Sequence, residues 1–314
     1  MFFAFDTATG AVRWSYDIRQ DGDQAYFHGE FLFAEDLVIV ATDGEAVGHV
    51  YAFERTTGAV RWKYSAGENV PSDVVRSGSL VFALTQGDEL LALDLATGAL
   101  RRRFSSSGER PGRPKFVSSP LVVDSHVYFS GRDGVLYALD AEAGEVIWKH
   151  DLGAPLTTSP VGRGNALYVG TQDGHLVRLN AADGETEKQF NTADQIAVGY
   201  SLTVTDEGLL VPLGGRASSR DAWVLVDPEL EAVRWRRDNQ ERWTTIRPHL
   251  RDDVVVIGDG TGRVFVLGLG DGVERQTLKV EGAVRSVGSA GDVLYVGTLE
   301  GLLYAYRLRG EPRR

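Results

Sequence analysis

The chain of 314 residues has no cysteine and a single methionine. Without Cys there is no disulfide framework, no thiolate metal site and no cysteine nucleophile. No run of about 18 apolar residues occurs, which excludes a transmembrane helix, and no ten-residue window carries convincing helical periodicity. Positive charge is in deficit, with 33 Lys+Arg against 44 Asp+Glu, a net charge of −11. A general nucleic-acid binder needs a basic surface to neutralise phosphates, so that class is excluded too. With 43% hydrophobic and 25% charged residues, the composition belongs to an ordinary folded protein rather than a disordered one. The start, Met1 to Asp6, shows no basic segment and no apolar stretch of signal length, and taken alone it predicts a cytoplasmic protein.

What the chain has in abundance is glycine, 37 residues of it, and much of it recurs at a fixed interval. Ala4, Asp6, Gly10 and Trp14 read A-x-D-x3-G-x3-W. The frame returns at Ala52, Glu54, Gly58 and Trp62, and again at Ala138, Asp140, Gly144 and Trp148. Degenerate copies hold Ala92, Asp94 and Gly98 with Arg102 in the Trp slot, and Arg178, Asn180 and Gly184 with Lys188 there. Leu225, Asp227 and Trp235 keep the frame with Glu231 replacing the Gly. The Gly slots stand at 10, 58, 98, 144, 184, 231, 272 and 310, a mean of about 43 residues apart, the period of four-stranded propeller blades.

Each unit reads as strands. In the third, Ser118–Val123, His126–Ser130, Val135–Leu139 and Val146–Lys149 are rich in β-formers, with Asp133-Gly134 and Ala143-Gly144 as turns. First strands are expected near Phe27, Asp73, Val117, Leu156, Ile196, Trp243 and Ala283. Four-stranded units that cannot each bury a core must stack, and a closed ring leaves only short edges. The expectation is one all-β domain over residues 1–314, a seven-bladed β-propeller of four-stranded antiparallel blades. The N-terminal strand Val12–Tyr16 would close the ring by completing the last blade. Phe2–Phe5 competes with Leu303–Tyr306 for one position, which keeps eight blades as the alternative. The frame residues Asp6, Gly10, Trp14, Gly58, Trp62, Asp140, Gly144, Trp148 and Trp235 are read as framework, each Trp laid over the neighbouring blade and each Asp capping its turn.

This frame resembles the tryptophan-docking repeat of the pyrroloquinoline-quinone (PQQ) propeller superfamily, most of all its BamB-type scaffold branch. Residues 2–14, 50–62 and 136–148 carry the resemblance best. It implies an extracytoplasmic location, periplasmic in the nearest branch, and either a non-enzymatic scaffold for protein partners or a quinoprotein. Quinoprotein dehydrogenases of the superfamily typically hold PQQ against a vicinal Cys-Cys disulfide, beside a calcium or lanthanide ion on carboxylates and an Asn. A chain without Cys cannot build that platform, so no cofactor is expected, with PQQ and a calcium ion as the alternative.

The residues offer no catalytic constellation. His28, His49, His126, His150, His175 and His249 are scattered, without the spacing of a zinc site. No G-x-S-x-G elbow occurs. Gly258-Asp259-Gly260-Thr261-Gly262 lacks the lysine and following helix of a phosphate loop and reads as a hairpin. Asp21-Gly22-Asp23 lacks the spacing of a calcium loop. A polysaccharide lyase or hydrolase would need paired carboxylates at a funnel mouth, and sequence alone does not show convergence.

Several connections are long, and loops on a rigid scaffold are where binding is usually placed. They bring Tyr26, Arg110, Arg113, Arg216, Arg220, Arg242 and Trp243 as candidate anchors for a protein partner, residue types enriched in interface hot spots. Because Arg supplies 28 of 33 basic residues, an ordinary solvated face is the competing reading. Arg101, Arg102 and Arg103 alternate along an outer strand and read as a solvated blade edge that discourages sheet-to-sheet pairing. The expected state is a monomer, with no nucleic acid partner and no membrane insertion.

Overall fold

The computed structural model describes residues 1–21, 25–27, 29–44, 47–106, 118–131, 133–194, 196, 201–214, 221–239, 241 and 247–307. The protein is an all-β, seven-bladed propeller of antiparallel blades, with one short 3-10 turn among the described residues, at Ile18–Asp21. Blade 1 holds Leu37–Gly44, His49–Glu54 and Val60–Ser65, and its first position is divided between Ala25–Phe27 and Leu32–Ala34, both paired with Leu37–Gly44. Blade 2 runs Val75–Ser77, Leu80–Leu84, Glu89–Asp94, Leu100–Ser105. Blade 3 runs Leu121–Val123, His126–Ser130, Val135–Asp140, Val146–Asp151. Blade 4 is Val161–Arg163, Ala166–Gly170, His175–Asn180, Thr186–Asn191, and blade 5 is Thr203–Val204, Leu209–Leu213, Asp221–Val226, Val233–Asn239. Blade 6 is His249–Arg251, Val254–Gly258, Arg263–Gly268, Glu274–Lys279. Blade 7 has Val284–Ala290, Val293–Thr298 and Leu303–Arg307. Two compact units divide the chain, one of residues 1–167 and 179–185, the other of residues 168–178 and 186–314.

Two details depart from the sequence reading. Val12–Tyr16, nominated to complete the last blade, pairs with Phe2–Phe5 instead, and blade 7 has three strands among the described residues. The reason is local. A short turn makes the hairpin cheap in chain entropy, and it buries Phe2 and Trp14 against Val38, Tyr51 and Phe53 of blade 1. In blades 2 to 6 the first strands also begin later than expected. Pro120, Pro160 and Pro248 stand immediately before Leu121–Val123, Val161–Arg163 and His249–Arg251, and proline has no amide to give a ladder. Side chains continue the pairing where the ladder stops. Ser72 Oγ accepts from the amide of Leu84 (2.7 Å) and Ser118 Oγ from that of Ser130 (3.2 Å). The same segments link successive blades in the first unit. The Glu30 amide donates to Asp73 (2.8 Å), the Asp73 amide to Ser119 Oγ (2.9 Å), and the Ser119 amide to Ser159 Oγ (2.7 Å).

The repeat frame builds the turn between third and fourth strands. Asp6 Oδ1 accepts from the amides of Ala8 and Thr9 (3.0 and 2.9 Å), and the Gly10 amide donates to the Asp6 carbonyl (2.8 Å). Asp94 and Asp140 repeat this with Ala96 and Thr97, and with Glu142 and Ala143. Gly10, Gly58, Gly98, Gly144, Gly184 and Gly272 all have φ between 66 and 76°, where a Cβ is strained. In blade 5, where Glu231 replaces the glycine, the positive φ moves to Leu230 (54°). Beyond the first, at Gly10, the turns each receive a residue from the preceding sheet. Trp14, Trp62, Trp148 and Trp235 donate Nε1 to the carbonyls of Arg55, Leu95, Ala181 and Leu269 at 3.0, 2.9, 3.0 and 2.7 Å. Their rings lie so close over Gly58, Gly98, Gly184 and Gly272 that an added Cβ would stand 2.5, 2.5, 2.5 and 2.7 Å away. Between blades 2 and 3 it is Arg102 that lies over Gly144. Between blades 4 and 5, Lys188 pairs with Glu231 at 3.1 Å. The core sits between blades, as where Ile39, Val50 and Trp62 of blade 1 meet Val81, Ala83 and Leu91 of blade 2.

Two turn carboxylates make stability depend on acid. The Arg13 guanidinium and the Thr9 donors hold Asp6 at about 2, and Arg101 with Thr97 does the same for Asp94. Both folded values lie below the ordinary carboxylate value, so the unfolded chain binds more protons as pH falls. Their stabilisation is therefore full above roughly pH 4 to 5 and is lost as pH falls towards about 2. Melting followed by circular dichroism should show Tm declining across that window, and less steeply in Asp94→Asn. An unchanged Tm at pH 2.5 would contradict this.

Candidate partner-binding face

The hairpins between second and third strands of blades 1, 2, 4 and 7 share one closing device. Thr42, Thr85, Thr171 and Thr298 are buried, and their Oγ1 atoms accept from the amides of His49, Glu89, His175 and Leu302 at 2.9, 3.1, 3.1 and 3.3 Å. A threonine there satisfies a backbone donor that the turn would otherwise strand. The sequence reading did not single out these residues. Their signal is a Thr at or near the end of the second strand in four blades, spaced at multiples of about 43 residues.

Blade 6 places Asp259 at the same position, fully buried. One oxygen accepts from the amides of Thr261 (2.9 Å) and Arg263 (3.1 Å), and the other from Arg263 Nε (2.8 Å) and Asn239 Nδ2 (3.3 Å). Burial pushes the carboxyl up, but these donors outweigh it and hold it below the usual range. The glycine-rich segment around it is therefore a hairpin with a paired internal charge, as its sequence suggests. In the first unit Asp21 accepts from Tyr16 Oη (2.9 Å) and Tyr51 Oη (2.8 Å), with Lys63 Nζ at 3.7 Å and over the Tyr51 ring. Desolvation raises Asp21, and the two tyrosines with Lys63 more than reverse it. The Asp21 carboxylate thus has two phenols and an ammonium as neighbours. Among the described residues, no group of three or more His, Asp or Glu side chains converges on a point where an ion could be held, and no helix is long and apolar enough to cross a membrane.

Of the candidate anchors, Tyr26 lies in Ala25–Phe27, opposite Asp43 of the next strand. Arg110, Arg113, Arg216, Arg220, Arg242 and Trp243 lie outside the described residues. Their flanking strands define the connections that carry them. Arg110 and Arg113 fall between blades 2 and 3, and Arg242 and Trp243 between blades 5 and 6. Arg216 and Arg220 fall in the hairpin between Leu209–Leu213 and Asp221–Val226.

All-β blades of this repeat length, joined by indoles over glycine turns, define a propeller of the PQQ-like class. The family model described as outer membrane protein assembly factor BamB matches residues 2–131 and 103–222, and the chain belongs to that family. Among curated relatives, BamB of Legionella pneumophila (strain Paris) is 24% identical over 208 residues, covering 61% of this chain and 52% of that protein. The quinohemoprotein alcohol dehydrogenase ADH-IIG of Pseudomonas putida is 30% identical over 135 residues, 38% of this chain and 19% of that enzyme. The chain therefore spans about half or less of the length of these relatives. In fold, the crystal structure of BamB from Moraxella catarrhalis superposes with a TM-score of 0.75 at 17% identity, covering 95% of this chain and 89% of that one.

Proposed function

We propose that the chain is a non-enzymatic interaction scaffold of the BamB type, outside the cytoplasm, that holds a protein partner through its long connections. The observation carrying this reading is the BamB family match, which runs through residues 2–222. The contacts assigned to the partner are Tyr26, Arg110 and Arg113 in the first unit, and Arg216, Arg220, Arg242 and Trp243 in the second. Arg brings a planar five-donor fork and Tyr and Trp large rigid rings, the usual anchors of such surfaces. Reversing charge with Arg216→Glu and Arg242→Glu together should weaken capture of partners from a native lysate. If the recovered proteins are unchanged, that surface is wrong.

The similarity to a quinohemoprotein dehydrogenase supports a second reading, a PQQ-binding sensor or degenerate quinoprotein. The residues present do not fit the superfamily's quinone platform, because the chain contains no Cys. Calorimetric titration with PQQ, with and without calcium, separates the readings. Saturable micromolar binding with a raised Tm favours the sensor, since a ligand of the native state must stabilise it. No heat and no shift leave the scaffold.

A further inference from the structure

We propose that the cleft between blades 2 and 3 is a binding site for an aromatic carboxylate. The chain itself displays what such a cleft accepts, since at four other joints an indole lies over the turn glycine and donates to the carbonyl of the residue after the Asp slot. Between blades 2 and 3 the indole is replaced by Arg102. Its stem covers Gly144, where an added Cβ would stand 2.7 Å from Cδ, and its guanidinium donates to the Glu142 carbonyl. A guanidinium does not fill the space of a bicyclic ring, and a cavity of about 230 Å³ remains beneath it.

The lining suits a ring. Phe82, Leu90, Ala92, Phe104, Val127 and Leu139 form its apolar wall, and Ala141, whose carbonyl occupies the indole-accepting position, lies at its edge. Apolar cavities of about 150 Å³ already take up benzene, so this one has room for a larger aromatic system. The rim carries both signs of charge, Arg102 and Arg103 with Asp140, whose Oδ1 is taken by the amides of Glu142 and Ala143. Arg101 is committed to Asp94 at 2.7 Å and Arg103 to Glu89 at 2.7 Å, whereas Arg102 forms no ion pair among the described residues. A ring seated in the cleft with its N–H towards Ala141 brings a carboxylate on that ring, or on the same residue, to the guanidinium, which favours bidentate recognition. The ligand is either a free aryl acid or an aromatic residue with a carboxylate beside it in a protein segment.

Binding to the intact chain can be read by ligand-observed NMR with three probes: indole-3-acetate, N-acetyltryptophanamide, and the peptide Ac-Gly-Asp-Trp-Asp-Gly-NH2. The acid should bind saturably and about tenfold more tightly than the uncharged amide, as expected for a charge-assisted contact. Arg102→Gln should erase that preference while leaving ring binding. Arg102→Trp, which fills the cleft with the chain's own indole, should abolish binding and raise Tm, and Ala92→Leu should block the cavity from its apolar wall. Binding of the free acid alone identifies a small-molecule site, and comparable binding of the peptide identifies a protein segment. No binding by any probe, equal binding of acid and amide, or wild-type affinity in both Arg102→Trp and Ala92→Leu would overturn the proposal. None of these outcomes depends on the loop residues assigned to the protein partner.

Discussion

Trp62→Ala is expected to cost about 3–5 kcal/mol of stability, the range for large-to-small changes at a buried aromatic. The indole is only 7% exposed. It fills the joint between blades 1 and 2 with Val50, Val81 and Leu93 nearby in one cluster, and it alone supplies the 2.9 Å bond to the Leu95 carbonyl. Truncation empties the joint and strands that carbonyl, two losses that add. Two neighbours limit collapse into the space, because Gly98 has no side chain to swing inward and both flanking strands are held in full ladders. Urea denaturation followed by far-UV circular dichroism measures the change. A loss below about 1 kcal/mol, the scale of a surface substitution, would show that the indole only covers the joint. Trp148 makes the equivalent bond but is less buried, so Trp148→Ala should cost less.

Gly98→Ala is expected to destabilise by about 2 kcal/mol more than Gly10→Ala, although the two glycines share nearly the same backbone conformation, φ 70 and 72°. Both substitutions force a Cβ into the left-handed region, at about 1–2 kcal/mol. Only Gly98 has a ring above it. A Cβ there would stand 2.5 Å from Trp62, whereas at Gly10 nothing lies within 4 Å. The added cost is displacement of a docked indole, part of what Trp62→Ala removes outright. The pair of substitutions gives a sharper check than either alone. In a Trp62→Ala background the ring is gone, so Gly98→Ala should fall back to the cost of Gly10→Ala, a coupling of about 2 kcal/mol in the double-mutant cycle. Strict additivity would mean that ring and glycine do not act on each other.

The period and the turns were readable because they depend on residues with few substitutes. A turn at φ near 70° selects glycine, a capping carboxylate selects Asp, and the wide cleft between sheets selects Trp, so Asp6, Gly10 and Trp14 announce themselves by spacing. The partner of Val12–Tyr16 was not readable. Phe2–Phe5 and Leu303–Arg307 carry the same pattern, and choosing between them requires the cost of closing each loop and the packing of Phe2 on Phe53. The starts of the first strands were missed because Pro120, Pro160 and Pro248 look like strand residues until their missing amides are counted. The hairpin threonines at 42, 85, 171 and 298 keep the blade period but escaped because blades 3, 5 and 6 hold Gly131, Gly214 and Asp259 in that slot. Candidate anchors such as Arg216 and Trp243 are the least legible of all. They lie outside the described residues, and no repeat encodes a loop.

The joints also bear on how fast and in what order the molecule can form. Each indole reaches a carbonyl only 33 to 41 residues further along the chain, about one blade ahead. Contacts that close on so short a stretch carry a small loop-closure cost, unlike the pairings between distant segments that slow most all-β folds. During synthesis, Trp14 can dock once the turn at Gly58 has emerged, and Trp62 once Gly98 follows. Assembly can therefore advance in the direction of translation, each new sheet finding its place on one already made.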